Sequence, residues 1–76
     1  MKEAVSPTFD VVLVQEDMAR RGWIPIDLAR RAKVSHMTIG RFLRGERQTA
    51  RTAAKIAAAL GFSVRRYLIS GGKAVA

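Results

Sequence analysis

PIDLARRAKVSHMTIGRFLRG, residues 25–45, is the stretch that decides the fold. Pro25 fits the first turn of a helix, where its missing N–H costs nothing. Leu28, Ala29 and Ala32 recur at helical spacing behind it and form one inward side. Ala32-Lys33-Val34 is the only connection before the next helical pattern, so the turn there is tight. Ser35 is a candidate N-cap, because its hydroxyl can accept from the unpaired N–H groups of the following turn. HMTIGRFLR then runs to Gly45, a residue that suits a helix C-terminus because it adopts positive φ freely. Ile39 and Phe42, with Leu43 beside them, give this second helix its apolar side. His36, Met37, Gly40, Arg41 and Arg44 lie mostly on the other. A glycine inside a helix costs about 1 kcal/mol relative to alanine. At Gly40 it needs a reason, and close approach to another surface is one.

The pattern stays helical on both sides of this segment. Ser6-Pro7, or alternatively Thr8, can start a first helix over residues 8–21, with Val11, Val14 and Met18 at helical spacing and Gly22 as its end. Trp23, at the junction to the second helix, is expected to anchor the core. Downstream, Gly45-Glu-Arg-Gln reads as a loop and Thr49 as the cap of a fourth helix, with Ala53, Ile56, Ala57 and Leu60 as its buried stripe and Gly61 as its stop. Ser63 caps an expected last short helix containing Val64, Tyr67 and Leu68. The expected organisation is a flexible arm over residues 1–7, one domain over 8–69, and a disordered tail over 70–76.

Composition narrows the function. A chain of 76 residues has room for one domain with a thin core, burying about 60% of the surface of its unfolded form. There is no cysteine, and one histidine with six scattered carboxylates makes neither a structural zinc site nor another metal cofactor site. No apolar run reaches the length that spans a bilayer, and the first residues do not form a secretory signal, so no membrane partner and a cytoplasmic location are expected. The formal charge is +8, from 14 Lys and Arg against 6 Asp and Glu. From Leu28 to Arg51 seven bases face a single acid, Glu46. A basic segment concentrated in a structured region is the electrostatic footprint of nucleic-acid binding; the plainer reading is that the arginines only keep the chain soluble.

Two short helices joined by a tight turn, the second capped by serine and rich in outward polar groups, have the anatomy of a helix-turn-helix, in which the second helix presents its N-terminal half to base edges. The residues also carry a resemblance. Leu28-Ala29, Val34-Ser35, Thr38-Ile39, Arg44-Gly45 and the closing Ala57, Leu60, Gly61 and Ser63 stand in the order and spacing of the helix-turn-helix family of the phage Cro and CI repressors, the XRE family, over Trp23 to Leu68. The resemblance implies an all-α fold, a bundle of four to five short helices of the lambda-repressor-like DNA-binding type, and operator binding as a dimer. It also implies base or groove contacts from Ser35, His36, Met37, Gly40 and Arg41, with Arg44 and Arg51 contacting backbone or reaching towards the minor groove. The sequence departs from the family where many members open the first motif helix with a hydroxyl cap and a phosphate-gripping Gln. Ile24 and Pro25 stand there, leaving Arg30 or Arg31 as replacement phosphate anchors. Leu43 stands where a glutamate is common.

The chemistry of the side chains points to the same face. Arg41 can donate a bidentate pair to guanine, worth about 1–3 kcal/mol of discrimination. His36 can donate to a purine or a phosphate, or stand on the surface without a partner. Met37 fits a thymine methyl or the core equally, and Thr38 either contacts phosphate or bonds back to its own helix. Arg44, Arg47 and Arg51 suit phosphate contacts, joined by the helix N-terminus that Thr49 caps. Arg65 and Arg66 read as solvated. Val64, Tyr67, Leu68 and Ile69 are candidates for a dimer seam, the alternative being that Tyr67 and Leu68 close the monomer's own core. The expectation is a small regulator of double-stranded DNA, a repressor by occupancy of an inverted-repeat operator, of a kind common in phages and mobile elements. An antitoxin-like or antirepressor-like protein-interaction module and a non-specific DNA binder are the rivals. An enzyme is not expected, since no nucleophile, glycine-rich phosphate loop or carboxylate–histidine pair is present.

Overall fold

Side-chain caps decide where the helices begin. The computed structural model describes residues 8–70. In it Asp10 Oδ1 accepts the N–H of Leu13 at 3.0 Å and opens α1, Val11–Arg20. Ser35 Oγ accepts from Thr38 at 3.0 Å and opens α3, His36–Leu43. Thr49 Oγ1 accepts from Thr52 at 3.1 Å and opens α4, Ala50–Leu60. The intervening α2, Pro25–Ala32, starts differently. Ile24 has no acceptor in its side chain, so Asp27 reaches back and takes the Ile24 N–H at 3.0 Å, while Pro25 removes one donor that would otherwise lack a partner.

Two helices have their C-cap in the left-handed conformation, and in the other two a glycine of positive φ, Gly22 or Gly45, follows the cap. Gly61 closes α4 at φ 87. Lys33 closes α2 at φ 61, and it is the one non-glycine residue with positive φ among the described residues. A side chain in that conformation costs about 1–2 kcal/mol. The left-handed conformation of Lys33 is what lets the chain turn from α2 into α3 within a few residues.

The first helix begins later than the expected residue 8. Thr8–Phe9 form a short strand, β1, and Leu68–Ser70 a second, β2, paired antiparallel with it in the register Thr8 with Ser70 and Phe9 with Leu68. The Asp10 N–H donates to the Tyr67 carbonyl at 2.7 Å and extends the ladder to the cap of α1. The expected last helix is likewise reduced to one 3₁₀ turn, Val64–Arg66, capped by Ser63. Leu68 belongs to the strand beyond it, and Ser70 closes that strand rather than opening a tail. Strands of two and three residues have no periodicity to read, so only pairing across the fold reveals them. The expected arm over 1–7, with the Ser6-Pro7 start of the first helix, and the tail from 71 onwards lie outside the described residues.

The core sits between the helices and the small sheet. Val14 and Met18 of α1, Leu28 and Ala29 of α2, Ile39 and Phe42 of α3, and the alanine-rich stripe of α4 are buried as their spacing predicts. Phe9 joins them from β1, its ring tilted 31° against Phe42 at 5.7 Å between centroids. Trp23 packs on the edge of this core, half-buried, rather than inside it.

One buried residue is charged. Asp17 is 1% exposed on the inner side of α1. Its carboxylate accepts from Arg66 Nε at 2.8 Å and Nη2 at 3.0 Å, and from the Tyr67 hydroxyl at 2.6 Å. Arg66 is therefore a structural partner of Asp17 while keeping one side in water. The Arg66 guanidinium holds the Asp17 carboxyl below its ordinary range; burial pulls the other way, and the Tyr67 hydroxyl helps to keep it low. Burial and the adjacent carboxylate push the Tyr67 phenol up to about 12.

Two outcomes follow from these features. Because Asp17 titrates lower in the folded chain than its unfolded value of about 3.9, its contribution to stability is complete above that pH and is lost as the pH falls through the folded value. Asp17→Asn is expected to cost about 2–3 kcal/mol near neutral pH, below the usual range for a broken buried pair because Arg66 can turn to water. Thermal unfolding by circular dichroism should show a melting point lower by roughly 10–20 °C near pH 7, with the gap closing as the pH falls below the unfolded value. Parallel loss of stability in both proteins would refute the role given to Asp17. Lys33→Gly is expected to raise stability by about 0.5–1 kcal/mol, since relief of strain exceeds the extra chain entropy; an unchanged or lower melting point would contradict it.

Candidate nucleic-acid interface

The surface of α3 opposite the core begins with its cap. Ser35 accepts from the Thr38 N–H and donates its own hydrogen to Thr38 Oγ1 at 2.8 Å. The serine's donor and one of its two acceptor sites are thus spent on the first turn, and Thr38 keeps its own hydroxyl hydrogen for another acceptor. Thr49 and Thr52 repeat the arrangement at the start of α4, with the hydroxyls 3.0 Å apart.

Ile39 and Phe42 face the core, so the opposite side of α3 is free. Met37 is 64% exposed there, which removes the core reading of that residue. His36, Met37, Gly40 and Arg44 line a shallow open groove of about 420 Å³ along this side. Arg44 lies back along it, with one guanidinium nitrogen 3.2 Å from where a Cβ on Gly40 would stand. Glu46 holds Arg44 from the loop side, accepting Nε at 2.7 Å and Nη2 at 3.4 Å. The hydrogen bond from Arg44 draws the Glu46 carboxyl below its ordinary range, and the same bond raises the Arg44 guanidinium.

Arg41 lies apart from this groove. With Arg47, Thr38, Thr49 and Thr52 it lines a narrow cleft of about 90 Å³ between α3 and the start of α4. Two arginines and three threonines border it beside the positive end of a helix dipole, a combination suited to a phosphate oxygen. A wider groove of about 670 Å³ runs past it from the loop Gly45–Thr49 to Thr8, Phe9 and Val11. Gln48 holds that loop in place. Its Oε1 accepts the Phe9 N–H at 3.1 Å and its Nε2 donates to the Phe42 carbonyl at 3.1 Å.

The remaining candidates divide. Arg30 and Arg51 are exposed on α2 and α4. Arg31 is stacked on Trp23, its guanidinium carbon 4.5 Å from the ring centroid, with Arg21 at 5.7 Å from the same ring. Of the seam candidates, Tyr67 is 1% exposed and bonded to Asp17, so its side chain closes the monomer's own core and offers nothing to a second copy. Val64 packs half-buried against that core. Leu68 and Ile69 remain exposed on β2. Reading of the sequence missed Glu46, Gln48 and Thr52 as parts of this surface. Glu46 carried a signal, being the lone acid of the basic segment two residues beyond Arg44. Gln48 carried none, because its partners come from two other elements.

Among the described residues no group of three or more metal-ligating side chains gathers, and no helix is long and apolar enough to cross a membrane. Compared with protein families, residues 14–66 match the family described as Helix-turn-helix. No curated protein and no solved structure matches the chain. The match runs from within α1 to the end of the 3₁₀ turn and so includes α2, α3, α4 and the turns that join them.

Ser35→Ala is expected to remove the cap of α3 at a cost of about 1 kcal/mol. Without DNA present, the melting point should fall by roughly 4–8 °C. An unchanged melting point would mean that the hydroxyl does not hold the helix and is free for another role.

Proposed function

Because this chain belongs to the XRE family of helix-turn-helix regulators, whose domain is that of the Cro and CI repressors, we propose that it binds one double-stranded DNA sequence and represses transcription by occupying it. The family is one of DNA-binding transcriptional regulators and not of enzymes. The observation that carries the finer reading is the free side of α3, seated on the core by Ile39 and Phe42 and flanked by the arginine- and hydroxyl-lined cleft. A helix with a free polar side and anion-binding groups beside it fits a major groove with a phosphate on its rim. His36 and Met37 are the proposed base contacts near the start of α3, and Ser35 sets the angle at which that start is presented. Arg41, Arg47, Thr38 and Thr49 grip the phosphate at the cleft, and Arg30 and Arg51 add charge on either side.

One such unit touches only a few base pairs. Two copies reading half-sites about 34 Å apart supply the missing specificity, which gives an inverted-repeat operator and a homodimer on DNA. Exposed Leu68 and Ile69 support β2 as the seam. Repression needs no effector domain, since occupancy of a promoter suffices, and the protein acts in the cytoplasm where its operator lies.

Enrichment of bound duplexes from a random pool at about 0.15 M salt tests this proposal. An inverted repeat with half-sites near one helical turn apart is the expected result. Bound DNA without any enriched sequence would replace it with backbone-only binding. Failure to retain DNA would overturn it.

A further inference from the structure

We propose that Arg44 reads a guanine in the major groove, and that Glu46 is the positioning residue that aims it. This rests on the reading that α3 enters that groove. Successive helical residues turn about 100° around the axis. Measured from the buried Ile39 and Phe42, Arg44 and Met37 point most directly away from the core, while Arg41 is turned towards α4 and its cleft. Arg44 is the C-cap of α3, a place from which a side chain would ordinarily miss the base edges met by the helix's first half. Here the chain folds back over Gly40 and carries its guanidinium about a turn towards the N-terminus. Gly40 has no Cβ, and that empty space is the seat of the guanidinium.

Glu46 separates base reading from phosphate binding. Its carboxylate takes Nε–H and one hydrogen of Nη2. The far edge, Nη1 with the second hydrogen of Nη2, has no hydrogen-bond partner among the described residues; Nη1 lies over Gly40, and this edge is the fork that matches guanine O6 and N7. A phosphate drawn to Arg44 would also approach the Glu46 carboxylate and be repelled by it. A base edge carries no net charge, so the ion pair can stay intact while the fork donates. An exposed ion pair of this kind contributes little to folding, since both side chains are more than half exposed. Aim is the function left to it.

The test repeats duplex enrichment with Arg44→Ala, Glu46→Ala and Gly40→Ala beside the wild type, followed by binding to the selected operator and to a copy with the guanine replaced. The wild-type motif should hold one invariant guanine in each half-site. Arg44→Ala should erase the preference at that position alone and weaken operator binding about 10- to 100-fold. On the substituted copy it should bind as the wild type does. Glu46→Ala should flatten the same position while leaving the others and the melting point unchanged, a result that loss of a merely structural pair would not give. Gly40→Ala, which folds at least as well because alanine is the better helix former, should give an intermediate loss there. If Arg44→Ala weakens every duplex equally and lowers the salt dependence by about one counterion, the residue is a phosphate clamp and the proposal is overturned. An unchanged motif overturns it too, while leaving the reading of α3 intact. A wild type that enriches nothing overturns both.

Discussion

The carboxylate of Asp17 is the constraint on which the rest of the structure depends. A charge taken out of water must be matched by partners in fixed positions, and Arg66 and Tyr67 are those partners. They fasten the end of the chain to the inner side of α1. With Tyr67 fixed, its carbonyl receives Asp10 N–H, the ladder of β1 and β2 forms, and Phe9 is set against Phe42. Phe42 lies on α3. A single buried acid thus connects, through contacts that each fix the next, to the back of the helix that faces outward.

The loop between α3 and α4 is the second support. Gln48 does two things at once, taking an N–H of β1 and adding a second donor to the Phe42 carbonyl, which also accepts from Gly45 N–H. Thr49 follows immediately as the cap of α4. The loop is therefore rigid where it borders the cleft, and Arg47 projects from a backbone held on both sides. Arg41 and Arg47 both border this cleft, one from α3 and one from the loop.

The charge of +8 is consequently divided into groups with different tasks. Arg66 and Arg21 serve the fold, the first on Asp17 and the second donating to the Asp17 and Leu60 carbonyls. Arg31 covers Trp23. Arg44 is matched by Glu46. Arg41, Arg47, Arg30 and Arg51 keep their charge for a partner outside the molecule. Association with a polyanion draws on this last group, and its salt dependence reflects their number rather than the formal total.

Caps, helix stripes and the tight turn were legible in the residues because each is settled within a few positions: Ser35 meets Thr38, Thr49 meets Thr52, and Leu28, Ala29 and Ala32 share one side of a single turn-and-a-half. The helix-turn-helix and the basic segment between Leu28 and Arg51 could be read for the same reason. Asp17 could not. Its spacing placed it on the apolar side of α1, but a carboxylate there has no meaning until Arg66, 49 residues on, is known to reach it. The two strands, the burial of Tyr67 and the engagement of Gln48 were hidden likewise, each depending on a partner distant in sequence. The sequence by itself determined the helices, the turn and where positive charge is concentrated, since local geometry and composition control those. Only the tertiary structure decided which arginines are free, because every guanidinium is chemically alike and what distinguishes them is the neighbour that folding brings.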